Sequence, residues 1–289
     1  IALFNHRSHL AKPVSSVRST DMEALKSHIL ALEPTGATSM EEGLELGRSM
    51  LAPFSLCDPD EYENRIIFMT DAMPNTDDTS ESGLLDMTRE MARNRVYLTF
   101  IGIGIDFNSQ MVESISQVRG ANYFSVHSPA EFRKRLADEF DCMVNPMVFD
   151  LALQVQAPKC RIRKVIGSPE ADLATGRIMH VSTLFPAPTN TDGTRGGIIL
   201  LQLDRPIVDT WLTLTLSYED RKGTIHDAQE KIILKAQPGD FYEDNGIRKG
   251  ILLARYVDLL KETSTGRHGI RVPSTAETDD SGWSYWERP

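Results

Sequence analysis

Two nearly uninterrupted apolar runs, Arg65 to Thr70 (RIIFMT) and Val96 to Ile103 (VYLTFIGI), most constrain what this chain can fold into. A strand that is apolar at almost every position is expected where both faces of a sheet are covered, which is the setting of a parallel sheet under helices. Helical patterns surround these runs. Thr20 to Leu32 places Met22, Leu25, Ile29 and Leu32 on one face, with Thr20 and Glu23 spaced as a capping box. Ser39 opens a second helix, with Glu42 at the reciprocal capping position and Leu44, Leu46, Met50 and Leu51 as its apolar side. Leu84 to Arg93 is a third, whose Leu85, Met87 and Met91 read as core filling. Ile1 to Asn5 and Asn122 to His127 add strands. Asn108 caps a helix to Val118, and Ser128, Pro129 and Glu131 start another that runs to about Asp141. This order predicts an α/β fold, a doubly wound parallel sheet over residues 1–145.

After Asn145 and Pro146 the apolar period changes from 3.6 to 2. Phe149, Leu151, Leu153 and Val155 alternate with polar or small residues, and Gly196 to Leu203 and Trp211 to Tyr218 (WLTLTLSY) repeat the pattern. Residues 146–240 therefore read as an antiparallel β-sandwich. A helix follows over 241–262, with Ile247, Ile251, Leu252, Tyr256, Leu259 and Leu260 as an apolar face packing on the domains. From Thr263 to Pro289 the composition becomes Ser, Thr, Gly, Asp and Glu, which predicts a flexible tail in which Trp283, Tyr285 and Trp286 are candidates to dock.

A hydrophobic content of 40% over 289 residues is enough for two cores. The net charge of −10, without a basic stripe, disfavours nucleic acid and anionic membrane as partners. Cys57, Cys142 and Cys160 are far apart and form no CxxC, so they read as single buried thiols. No apolar run is long enough to span a membrane. Ile1 begins what reads as a strand in progress, so further chain upstream is expected.

In an open parallel sheet, ligands sit where loops leave the carboxyl ends of the strands. Three loops stand out there. Residues 34–40 (PTGATSM) carry Thr38 and Ser39 to a helix start, residues 70–76 (TDAMPNT) put Asp71 at the end of a buried strand, and residues 102–108 (GIGIDFN) carry Asp106. Hydroxyl and carboxylate oxygens are hard ligands, suited to Mg2+ or Mn2+ with water in the remaining positions. The same residues also read as ordinary structure, Ser39 as a helix cap and Asp71 as a turn acceptor. Signatures of zinc proteases, α/β-hydrolases and P-loop nucleotide hydrolysis are all missing, so no catalytic residue is assigned and no enzyme is expected. His6 and His9 read as surface histidines and Glu170 with Asp172 as a turn.

The segments PTGATSMEEGLELG, RIIFMTDAMPN, YLTFIGIGIDFN and NYFSVHSPAEFRKRL, in that order, resemble successive parts of the von Willebrand factor type A (vWA) domain from Ile1 to about Asn145. That resemblance implies a metal-ion-dependent adhesion site, in which a Thr of a GxT loop and an Asp of a strand-end TD motif hold a divalent ion together with a DxSxS loop. The matching residues are Thr38, a direct ligand, and Asp71, a ligand directly or through water; Ser39 and Asp106 are weaker candidates. The DxSxS loop belongs upstream of Ile1; the literal match at Asp78, Ser80 and Ser82 reads as a helix start. GSPEADLATGRIMHVSTLFP and GIRKGILLARYVDLLKE resemble the region that follows the vWA domain in bacterial calcium-activated chloride channel homologues and, more loosely, in inter-alpha-trypsin inhibitor heavy chains. The function implied is binding of a protein ligand whose Asp or Glu completes the shell of Mg2+, or of Mn2+ or Ca2+, in an extracytoplasmic or cell-surface setting. A central strand is expected from a missing segment or a second chain. Two alternatives stay open: a metal-independent scaffold, and an accessory vWA subunit of an ATPase assembly.

Overall fold

The computed structural model describes residues 1–33, 36, 38–71, 78–104, 109–187, 189–190, 193–194, 197–204, 210–234 and 245–264. The chain divides into two compact units. One holds Ile1–Leu151, Val181–Arg195 and Ser217–His226, the other Ala152–His180, Gly196–Leu216 and Asp227–Pro289.

The first unit opens with a hairpin of β1 (Ala2–Phe4) and β2 (Ser8–Leu10), in which Ala2 faces Leu10. There follow α1 (Met22–Leu30), α2 (Met40–Leu51), β3 (Asn64–Thr70), α3 (Asp78–Arg93), β4 (Val96–Ile103), α4 (Ser109–Ser116) and β5 (Asn122–Val126). Strands β3, β4 and β5 form a parallel sheet in that order, with Thr70 level with Gly102 and Gly102 level with Ser125. The sheet is parallel and helix-covered, as the apolar runs predict. Every residue of β4 from Val96 to Gly102 is buried. β3 departs from the expectation of burial on both faces: Arg65, Ile66 and Ile67 are half-buried, and Met69 is 44% exposed. The physical reason is position, since β3 ends its sheet among the described residues. The core gathers Leu44, Phe68, Leu84, Met91, Leu98 and Phe100, with the Phe4 ring stacked 4.7 Å from Phe68 and Phe68 4.9 Å from Phe100.

Helix starts follow short side chains, though not always the expected ones. Asp21, rather than Thr20, caps α1 by accepting from the Glu23 and Ala24 amides, while the Thr20 hydroxyl donates back to Ser16 O. Ser39 holds the N-cap position of α2 but its side chain makes no capping bond, and Glu42 accepts from the Ser8 hydroxyl instead. Ser128 does cap the helix it was expected to, with Glu131 bonding the His127 amide. That helix runs as α5 (Pro129–Arg133), a π-helical stretch Lys134–Asp138 and α6 (Phe140–Val144). α3 begins at Asp78, in keeping with the reading of residues 78–82 as a helix start. Asn108 lies outside the described residues.

The remaining strands are β6 (Val148–Gln156), β7 (Arg161–Ile166), β8 (Arg177–Leu184), β9 (Thr189–Asn190), β10 (Gly193–Thr194), β11 (Leu200–Asp204), β12 (Trp211–Glu219) and β13 (Ile225–Ile233), followed by α7 (Asn245–Ser264). Four of them form a sheet in the order β13-β12-β6-β8, and β11 pairs antiparallel with β7. The core of the second unit is Val155, Ile178 and Leu212, with Leu153, Ile162, Leu201 and Leu214 against it. The three cysteines are free and half-buried, less covered than expected.

Candidate functional site

Glycine contacts fix how the start of α2 is presented. A Cβ on Gly47 of α2 would lie 3.0 Å from Ile66 Cδ1, and one on Gly43 would lie 2.7 Å from the ring of Phe4, which itself stacks on Phe68. Moving backward along α2 thus moves forward along β3, so helix and strand run antiparallel. With rises of about 1.5 Å per helical residue and about 3.3 Å per strand residue, one more turn brings Ser39 level with Thr70. Thr38 and Ser39 therefore start α2 at the carboxyl end of the sheet, the end at which Asp71 leaves β3. Thr38 and Asp71 are exposed and Ser39 is half-exposed.

The loop before α2 is pinned from the hairpin side. The Ser39 amide donates to Asn5 O at 2.6 Å, and a Cβ on Gly36, whose φ is +75°, would lie 2.5 Å from His6 Nδ1. The left-handed backbone there favours glycine. At the end of β4, Gly104 (φ +68°) donates its amide to Val126 O at 2.8 Å. Asp106 lies outside the described residues. β5 brings His127 to the same end, with Nε2 2.9 Å from the Ser125 hydroxyl, a neighbour that sequence reasoning passed over. Among the described residues no three His, Cys, Asp or Glu side chains gather as a metal cluster. The donor set that does share this end, two hydroxyls and a carboxylate, suits a hard cation that keeps most of its water.

The amino end of the same sheet holds a charged cluster of different character. Arg65, whose side chain is 5% exposed, donates to Thr99 Oγ1 and Gly120 O at 2.9 Å and to Glu63 at 2.8 Å. Glu63 also accepts from Arg221 at 3.1 Å, and Lys222 reaches Asp60 at 2.7 Å. Arg119 lies 4.0 Å over the Phe149 ring and bridges Asp150 at 2.6 Å and Glu219 at 2.5 Å. Burial pushes the Glu63 carboxyl up in spite of the two guanidiniums beside it, and burial pulls Arg65 down. The sequence signal for this cluster was a charge pair, Glu63 and Arg65, opening a strand that is otherwise apolar. Its members bind one another and tie the turn at Asp220 to the amino end of the parallel sheet, while Arg65 Nε is buried without a hydrogen-bond partner among the described residues. Elsewhere Asp172 closes a turn by accepting from the Ala174 amide and the Thr175 hydroxyl, as expected, and His6 and His9 are exposed.

The described residues thus define a mixed α/β protein, with a parallel sheet and a β-rich second unit. No family model matches the chain. It is 25% identical over 142 residues to inter-alpha-trypsin inhibitor heavy chain H1 of Sus scrofa, which covers 48% of this chain but only 16% of that protein. Among solved structures it is similar to a von Willebrand factor type A protein from Catenulispora acidiphila, at 14% identity and a TM-score of 0.45 over 81% of this chain and 57% of the other. It is also similar to the human COPII-coat protein Sec24c, at 12% identity and a TM-score of 0.42 over 74% of this chain and 31% of that one. The heavy-chain similarity is to a group that the sequence segments resemble.

Proposed function

We propose that this chain binds a protein partner through a divalent cation, Mg2+ or else Mn2+ or Ca2+, held at the carboxyl end of the parallel sheet. Thr38 and Asp71 are the ligands of that reading, with Ser39 and Asp106 in support, and an Asp or Glu carboxylate of the partner completes the shell. The observation that carries it is the antiparallel seating of α2 on β3, which brings the Thr38 turn to the end of the sheet where Asp71 emerges. Both side chains are exposed, so a partner has access to them. Thr38 offers a neutral oxygen and Asp71 a charged one, leaving the cation a net positive charge toward the incoming carboxylate. An extracytoplasmic or cell-surface setting goes with this function.

The test is uptake of Mn2+, followed by electron paramagnetic resonance on the purified chain. One site is expected in the wild type, displaced by Mg2+, with loss of at least tenfold in affinity in Asp71→Ala and Thr38→Ala and unchanged far-UV circular dichroism. Equal uptake by all three proteins would sink the metal reading and leave the metal-independent scaffold as the better account.

A further inference from the structure

Helix α7 presents two apolar faces, and among the described residues only one of them is covered. Ile251 and Ala254 turn inward, a Cβ on Gly250 would meet Ile198 and Leu200 at 3.5 Å and 3.9 Å, and Asp258 is held by Lys164 at 2.5 Å. At 100° per residue, Leu252, Leu253, Tyr256, Leu259 and Leu260 project from the opposite side, and they are between 49% and 68% exposed. A contiguous stripe of this size on a soluble protein marks a contact surface. Basic residues border it: by the same rotation Lys249 lies within the stripe, and Arg248 and Arg255 lie along one margin.

The chain that continues from Ser264 carries a complementary segment. Residues 277–287 (ETDDSGWSYWE) contain Glu277, Asp279, Asp280 and Glu287, no Lys or Arg, and the aromatics Trp283, Tyr285 and Trp286 within four positions. We propose that this segment docks in cis on the outward face of α7, its aromatic side chains against the Leu252–Tyr256–Leu260 stripe and its carboxylates toward Arg248, Lys249 and Arg255. The reach is adequate. Returning from Ser264 to Leu252 takes about 18 Å along the helix, and a connection of the length of residues 265–282 spans about 23 Å on average for a chain of that many residues. Such a tether holds the segment at an effective concentration on the order of millimolar, so a weak contact suffices. The inference is independent of the metal reading.

Fluorine-19 tryptophan in the full chain tests it. The chain has three tryptophans, so Trp211→Phe assigns the one outside the segment. The resonances of Trp283 and Trp286 are expected away from those of a synthetic peptide of residues 277–287, and to move to the peptide positions in Leu253→Glu/Leu260→Glu. In a second experiment, which leaves α7 intact, Trp283→Ala/Trp286→Ala frees the face, and the labelled peptide added in trans is expected to bind this variant at least tenfold more tightly than the wild type. Wild-type resonances that coincide with the free peptide, or equal peptide binding by both proteins, overturn the proposal. So does a dimer in sedimentation that Leu253→Glu/Leu260→Glu dissolves, because a second copy then covers the face. If the glutamate variant does not fold, the peptide comparison decides alone.

Discussion

Gly120 is held at φ +73°, and a Cβ there would lie 2.0 Å from the ring of Tyr97. Its carbonyl accepts from Arg65 and its amide donates to Thr183 Oγ1 at 2.6 Å, so the backbone cannot turn away. Gly120→Ala is expected to cost about 3 kcal/mol through left-handed strain and overpacking together, read as a fall in the urea midpoint at constant slope. Glu63 allows a graded test. Glu63→Ala leaves the buried Arg65 guanidinium without its carboxylate and is expected to cost about 3 kcal/mol. Glu63→Gln keeps an acceptor for Arg65 and removes a charge that burial disfavours, so it should cost about 1 kcal/mol. Equal losses in the two variants would show that the charge, not the acceptor, matters. At this scale the sequence reading took Arg65 only as the start of an apolar run and passed over Glu63. It was silent about partners, because Glu63 and Arg221 are 158 residues apart.

Element by element, the helices and parallel strands were legible because period and capping chemistry are local. The exact caps were less so. Thr20 and Asp21 both offer an oxygen at a plausible place, and only the backbone path decided that Asp21 reaches the Glu23 and Ala24 amides. The sequence placed the start of α2 among the loops at the carboxyl ends of the strands, but not the seating of the helix, which rests on Gly43 and Gly47 letting it sit against Phe4 and Ile66. Gly43→Leu is therefore expected to push α2 off the hairpin, costing about 2 kcal/mol. If the metal reading holds, it also weakens Mn2+ uptake without touching a ligand. Unchanged stability would mean that the hairpin yields freely. The outward face of α7 is a converse case: its apolar residues were legible, but which of them are covered was not.

Taken as a whole, the first unit carries groups whose titration pulls in opposite directions. Asp220 is held below the ordinary aspartate value by the His226 ring and the Thr224 amide, and in the second unit Asp172 is held low by the Thr175 hydroxyl and the Ala174 amide. Their contribution is fully present above about pH 4 and is lost as pH falls through the depressed folded-state values. Glu63 has the opposite sign: its folded value lies above its unfolded one, so stability is highest below about pH 4 and declines as pH rises through the raised value. The difference in urea midpoint between wild type and Glu63→Gln should thus shift against the wild type as pH is raised from about 4 toward neutrality. A difference independent of pH would show that Glu63 titrates alike in both states.

The sequence by itself determined the class of each half, because helical period, uninterrupted apolar strands and period-2 alternation report on local geometry and on how many faces are covered. It also singled out Thr38, Ser39 and Asp71 as oxygen donors at strand ends and helix starts. Only the tertiary structure decided that β4, and not β3, is the fully buried strand, because burial depends on neighbours that register and sheet order supply. The same holds for the seating of α2 behind Thr38, which follows from two glycines setting a helix against a strand, a close approach of distant residues that no local pattern encodes.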